Sequence, residues 1–198
     1  MKNMLKLGFI LTAYTLVACV GLAFVYAGTK TVIEQRAKSD LEAALKELFP
    51  TADSFQPIAT SELKASLESV VFTEAYTISA GATLIGVAVK ASGPSYGGQT
   101  VALVGVGADR KVAGAKILEN KDTPGLGANA ASPSYFVDRK SKTTFMGQFS
   151  GKSIDDQFKV KGDVVAITAS TITSVAVANV VKAAGNAAGA WIAAKGGN

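Results

Sequence analysis

The segment Leu7 to Gly28 is a continuous, predominantly apolar run without a single charge, and a helix needs roughly 20 residues to cross a hydrocarbon core. The run predicts a transmembrane anchor. A cleavable signal peptide would have a shorter core and a small-residue cleavage site, whereas Phe24, Val25 and Tyr26 prolong this one. Leu16, Val17, Ala18 and Cys19 have the shape of a lipobox, but Val20 to Tyr26 stays apolar where a lipidated chain would continue into a polar tether. The anchor is the preferred reading. Beyond it, Val32, Ile33, Leu41, Ala44, Leu45, Leu48 and Phe49 recur mostly at helical spacing until Pro50. They predict a helix that extends the anchor as a stalk and that reads equally as a first core helix. Leu63, Leu67, Val70 and Val71 predict a second short helix after Pro57.

From residue 72 the period changes. Thr83 to Val89, Thr100 to Val106 and Lys111 to Glu119 are short Val-, Ile- and Ala-rich runs separated by turn residues, which predicts an antiparallel meander. The Gly-rich turn Gly93 to Gly98 would let backbone approach a ligand, though an ordinary hairpin accounts for it as well. A short helix is expected near Pro133 to Val137. Phe158, Val160, Val164, Val165 and Ile167 then read as a strand broken by Gly162. It hands over to a hydroxyl-rich turn, Thr168 to Ser174, and to an Ala- and Val-rich helix from Val175, which Gly185 and Gly189 weaken and Trp191 and Ile192 dock. A helix N-terminus offers free N–H donors and a positive dipole, which suit a phosphate. The plainer alternative is that the hydroxyls merely cap the helix.

Composition narrows the chemistry. With 198 residues and 48% hydrophobic content, the chain is one ordinary domain plus appendages. It has no His and one Cys, which removes His-based triads, His or Cys zinc sites and Cys-ligated iron–sulfur clusters. Any redox chemistry requires a bound organic cofactor. The net charge of +5 is scattered among acids and glycines, with no basic run interleaved with aromatics, so no nucleic-acid partner is expected. Lys2 and Lys6 precede the anchor and Lys30, Arg36 and Lys38 follow it, a mild preference for a cytoplasmic N-terminus. Three short motifs are set aside for lack of context. Gly125 to Ala130 is a loose dinucleotide fingerprint after a Thr-Pro turn. Gly147 to Ser153 is one residue short of a phosphate loop. Ser61 to Lys64 lacks the partner motifs of penicillin-interacting enzymes.

The segment Thr168, Ala169, Ser170, Thr171, Ile172, Thr173 resembles the flavinylation motif of the FMN-binding subunits of Rnf and Na⁺-NQR electron-transfer complexes. That motif reads Ser/Thr, Gly, Ala, Thr, any residue, Ser/Thr, so Ala169 and Ser170 stand at its Gly and Ala. Val165 stands where the family favours Asp. Asp122, Thr123, Pro124, Gly125, Leu126, Gly127 looks like the family's Glu-Thr-Pro-Gly-Leu-Gly loop. Tyr96, Gly97, Gly98 and the stretch with Phe149, Gly151 and Lys152 add weaker similarity, and the length is that of the G-type subunits.

The resemblance implies an α+β fold: an N-terminal transmembrane helix (1–28), a stalk helix (29–50) and one FMN-binding domain (51–198) with an antiparallel sheet and flanking helices. It implies FMN bound covalently to Thr171 through a phosphoester and installed by a separate Mg²⁺-dependent flavin transferase with FAD as donor. Thr168, Ser170, Thr173 and Ser174 would hold the phosphate, and Thr123, Pro124, Gly125, Leu126 and Gly127 would pack near the ring. The expected setting is a single-pass protein of the cell (inner) membrane with its main domain extracytoplasmic. Its partners would be the other membrane subunits of an Rnf-type ion-translocating ferredoxin:NAD⁺ oxidoreductase, within which it would relay electrons without being a complete enzyme. The competing expectations are a membrane-anchored extracytoplasmic scaffold or binding module without cofactor, and a stand-alone flavoprotein reductase.

Overall fold

The computed structural model describes residues 2–64 and 66–195. They divide between two compact units, residues 1–40 and 41–198. Helix α1 is continuous from Lys2 to Leu48. Its residues through Asp40 are all exposed, and it is long and apolar enough to cross a membrane.

The second unit is built on a five-stranded antiparallel meander: β1 (Ser54–Ile58), β2 (Val71–Ala80), β3 (Thr83–Ser95), β4 (Gly98–Gly107) and β5 (Val112–Glu119), in that spatial order. Side chains alternate across a strand, and here both faces are covered. Val87, Val89 and Ala91 of β3 and Ala102, Val104 and Val106 of β4 lie in the core shared with the C-terminal helix α2 (Thr171–Lys195). Ala88 and Leu103 point the other way, into a smaller cluster with Ile78 and with Leu41, Ala44, Leu45 and Phe49 at the end of α1. Double coverage explains why the central strands read as continuous apolar runs. It also gives the residues expected as the end of a stalk, 41–49, a place in the core of the second unit.

Several local expectations need correction. Among the described residues no α-helix lies between Pro57 and β2: a 3₁₀ turn spans Thr60–Glu62, and Val71 already opens β2. β1 and β2 carry too many polar residues on their partly exposed positions to be read as strands unaided. Pro57 is tolerated because β1 is an edge strand. The short helix expected near Pro133 lies earlier, as a 3₁₀ turn at Gly127–Ala131, and Phe136–Asp138 (β6) pairs instead with Thr143–Thr144 (β7).

The strand expected through Phe158 to Ile167 does not form. Val160 and Val164 share one isolated bridge, and Phe158 and Lys161 adopt left-handed φ of 52° and 65°. Asp163 ties this turn together: its carboxylate accepts the N–H groups of Phe158 (3.0 Å) and Lys159 (2.6 Å) and pairs with Lys152 (3.3 Å). Helix α2 passes through Gly185 and Gly189 without interruption. Both are buried against Ile154, and a Cβ on Gly189 would lie 2.1 Å from the Ile154 Cδ1. These glycines make room for a neighbour.

Candidate functional site

The site is assembled where the chain enters α2. Ile167 is buried and ends the preceding segment, and the N–H of Ser170 closes a turn onto the Ile167 carbonyl at 3.0 Å. Ala169, inside that turn, has a left-handed φ of 58°. The first helical bond of α2 runs from the Ser174 N–H to the Ser170 carbonyl at 3.0 Å. The amides of Thr171, Ile172 and Thr173 precede it and have no carbonyl one turn back to bond. Thr171 is exposed, whereas Ser170, Thr173 and Ser174 are buried.

The buried hydroxyls do different things. Ser174 accepts the Ile167 N–H (3.0 Å) and donates to the Ser170 carbonyl (2.8 Å), so its hydroxyl is spent on holding the turn. Ser170 is only 7% exposed, and its Oγ has no hydrogen-bond partner. A buried polar atom without a partner is uncommon and calls for an explanation. Thr168 turns away: its N–H meets the Tyr135 hydroxyl at 3.2 Å, and it lines a neighbouring groove with Arg139 and Lys142.

A pocket of about 440 Å³ opens in front of the helix end, lined by Ala169, Ser170, Thr171, Ile172 and Thr173 together with Thr123, Leu126, Gly127, Asp122 and Tyr96. Two segments far apart in sequence thus form facing walls. In the second wall, Pro124 and Gly125 occupy the middle of a turn that the Leu126 N–H closes onto the Thr123 carbonyl at 3.1 Å. Proline presets the first of these positions, and Gly125, with φ 77°, supplies the left-handed second that a type II turn requires. Pro124 and Gly125 shape this loop, while Thr123, Leu126 and Gly127 face the pocket.

Asp122 joins the hairpin to the loop. Its carboxylate accepts the Ser95 hydroxyl (2.6 Å) and the Gly97 N–H (2.5 Å) from the β3–β4 hairpin, and the nearby Thr173 hydroxyl on α2 also favours its charged form. Burial pushes its pKa up, but these bonds outweigh burial and hold it below the usual carboxylate range. Asp122, Tyr96, Ala169 and Ile172 are pocket residues that the sequence alone does not single out as such. The signal for Asp122 and Tyr96 is their place in the two loop motifs, and Ala169 and Ile172 lie inside the hydroxyl-rich turn itself. A second groove, of about 500 Å³ beside β5, is lined by Glu47 and Lys116, which pair with each other and leave no free charge there for chemistry. Among the described residues no cluster of acids or Cys has the arrangement of a metal site.

An orphaned hydroxyl, unbonded amides at a helix N-terminus and a roomy half-apolar pocket together suit an anionic head joined to a flat aromatic body. Comparison with known proteins points the same way. Residues 95–186, which span both walls, match the FMN-binding domain family, and residues 1–48 match the RnfG N-terminal region. The chain is 30% identical over 192 residues to the G subunit of the Na⁺-translocating ferredoxin:NAD⁺ oxidoreductase complex of Acetobacterium woodii, covering 89% of this chain and 87% of the relative. It is 31% identical over 179 residues to the proton-translocating counterpart of Clostridium ljungdahlii, covering 88% and 85%. With the G subunit of the ion-translocating oxidoreductase complex of Methanosarcina acetivorans it shares 27% over 186 residues, covering 92% and 93%. The chain belongs to the family of Rnf complex G subunits, and the pocket at the start of α2 lies in its FMN-binding domain.

Proposed function

We propose that this chain is an electron-transfer subunit that carries FMN covalently on Thr171, through a phosphoester, in a membrane ion-translocating ferredoxin:NAD⁺ oxidoreductase. The observation that supports it most is the Ser170 hydroxyl, buried and unpartnered beside the free amides of Thr171 to Thr173. A phosphate esterified to Thr171 would give these donors an acceptor. Of the hydroxyls expected to hold the phosphate, Ser170 and Thr173 border the pocket, whereas Thr168 and Ser174 serve the surrounding turn. Leu126, Ile172 and Tyr96 offer apolar surface for a ring, and the Thr123 to Gly127 loop would border it. Bound FMN supplies one- or two-electron transfer, with its potential tuned by nearby hydrogen bonds and charge.

Among the described residues that line the pocket, none could activate the Thr171 hydroxyl. The chain has no His, and the nearby carboxylate of Asp122 is committed to donors. A threonine hydroxyl needs a base or a metal to attack phosphorus, so a separate flavin transferase is part of the proposal. The proposed setting is a single pass: residues 7–28 cross the membrane with the N-terminus inside, and the main domain is extracytoplasmic, beside the other membrane subunits of an Rnf-type complex; the long apolar helix α1 and the mild charge bias around it support this reading. The anchor (1–28), the stalk (29–50) and the FMN-binding domain (51–198) remain the proposed functional segments.

The test is the full-length chain co-expressed with a flavin transferase, run on a denaturing gel under ultraviolet light beside Thr171→Ala and weighed by mass spectrometry. The expected result is fluorescence and an added mass of FMN less water in the wild type, both absent from Thr171→Ala. Flavin that survives denaturation in Thr171→Ala would refute the attachment site. A dark, unshifted wild type would favour a cofactor-free scaffold.

A further inference from the structure

We infer that Asp122 is the positioning residue of this pocket, an inference that rests on the flavin reading: its carboxylate sets the spacing between the β3–β4 hairpin, the Thr123 to Gly127 loop and the first turn of α2. Asp122 is 5% exposed. Each of its bonding partners is next to a pocket-lining residue or is one. Ser95 and Gly97 flank Tyr96, and the Thr173 hydroxyl, which follows Ile172 on α2, packs with the Asp122 carboxylate around Gly127. Thr123 adjoins Asp122 itself. On the same side, the Asp122 N–H donates to the Asn120 Oδ1 (2.8 Å), and the Asn120 amide donates to the Gly127 carbonyl (3.2 Å), so the loop is braced from both ends.

The packing leaves no slack for another arrangement. A Cβ on Gly97 would lie 2.2 Å from the Lys121 carbonyl oxygen, and one on Gly127 would lie 2.4 Å from the Thr173 Oγ1 and 2.7 Å from the Asp122 Cβ. The hairpin and the start of α2 therefore both pack against the segment that carries Asp122 at contact distance. The chemistry of its partners selects an anion. The Gly97 N–H, which can only donate, takes one oxygen and the Ser95 hydroxyl donates to the other, which a carboxylate accommodates with its two acceptor oxygens. Asparagine presents one acceptor oxygen, so the Ser95 hydroxyl must reverse to accept its NH₂, and the charge that strengthens both bonds is lost.

The experiment compares full-length wild type, Asp122→Asn and Ser95→Ala, each prepared without and with the flavin transferase. In the flavin-free chain, hydrogen exchange of segments 93–100 and 169–175 reports the tie directly. Asp122→Asn is expected to exchange about tenfold faster there, the factor that loss of one charge-assisted hydrogen bond produces, while peptides from the centre of α2 stay as protected as in the wild type. In the loaded chain, iodide quenching of flavin fluorescence is expected to rise at least about twofold, because a wider pocket exposes the ring. Unchanged exchange in both segments would overturn the role of Asp122 even if flavin is bound normally. A wild type without flavin would overturn the flavin reading and leave the exchange result to decide on Asp122. Should Asp122→Asn not fold, Ser95→Ala, which removes a single donor, carries the same two outcomes for segment 93–100.

Discussion

Ala169 holds a left-handed φ of 58° at the position where the related motif has glycine. A residue with a Cβ is less stable there than glycine by about 1–2 kcal/mol, part of which is offset by the greater freedom of glycine in the unfolded chain. Ala169→Gly should therefore raise stability by about 0.5–1 kcal/mol, read as a higher urea midpoint with an unchanged slope. A fall in the midpoint would mean that the turn does not have this conformation. The same residue explains why the motif is recognisable despite its substitutions. Identity at the Gly place matters less than a backbone turn that delivers Thr171 to the first helical position, with Ser170 buried behind it. The orphaned Ser170 hydroxyl is invisible in the sequence, because a serine before a helix reads as a cap and only burial reveals that this one caps nothing.

The β3–β4 hairpin shows what an element can hide. Its Gly93 to Gly98 turn is ambiguous in sequence between hairpin geometry and ligand approach, and the structure gives it a third role, contact with the Asp122 segment. The atoms that a Cβ on Gly97 would strike are backbone atoms of Lys121 and Asp122, which cannot rotate away. Gly97→Ala is thus expected to destabilise by about 1–3 kcal/mol, the cost of overpacking a filled site, measurable as a lower urea midpoint. An unchanged midpoint would show that the hairpin and the loop are not in contact. The central strands are legible because they are apolar on both faces. The supposed strand at Phe158 to Ile167 misleads for a related reason: Phe158, Val164 and Ile167 are buried core residues, but they reach the core from a turn held by Asp163. Periodicity reports burial, and only hydrogen bonding distinguishes a strand from a turn that buries the same residues.

For the whole molecule, the end of α1 decides where an independently folding piece begins. Leu41, Leu45 and Phe49 are buried in the second core cluster, and at about 1.5–3 kcal/mol each their removal costs about 5–9 kcal/mol. That is comparable to the whole stability of a domain, about 5–15 kcal/mol. A chain lacking residues 1–40 should unfold cooperatively, while one lacking residues 1–50 should not, as followed by circular dichroism during heating. Equal cooperativity of the two would mean that residues 41–49 add nothing to the fold. Stability should also depend on acid. For Asp122 and Asp163, burial raises the pKa but their hydrogen bonds, with Lys152 added at Asp163, lower it further, so both titrate below their unfolded value of about 3.9. Each then contributes stability that is complete above about pH 4 and is lost as pH falls through the folded-state value. The melting temperature should drop below about pH 4, and Asp163→Asn should lower it at neutral pH while making the acid drop shallower.

By itself the sequence determined a run long and apolar enough to cross a membrane, the meander at the centre of the sheet, the absence of His and of metal chemistry dependent on it, and the two short motifs that carry the family resemblance. Each of these is local: a length without charge, short apolar runs set off by turn residues, a residue type that is missing, a turn with a left-handed position. Tertiary structure decided which hydroxyls border the pocket and which hold its frame, that a buried carboxylate ties its loop to a distant hairpin, and that the last turns of the N-terminal helix belong to the core. Those depend on which groups meet across more than twenty residues of chain, and the energy of such a meeting comes from burial and from hydrogen bonds that exist only once the partners are in place.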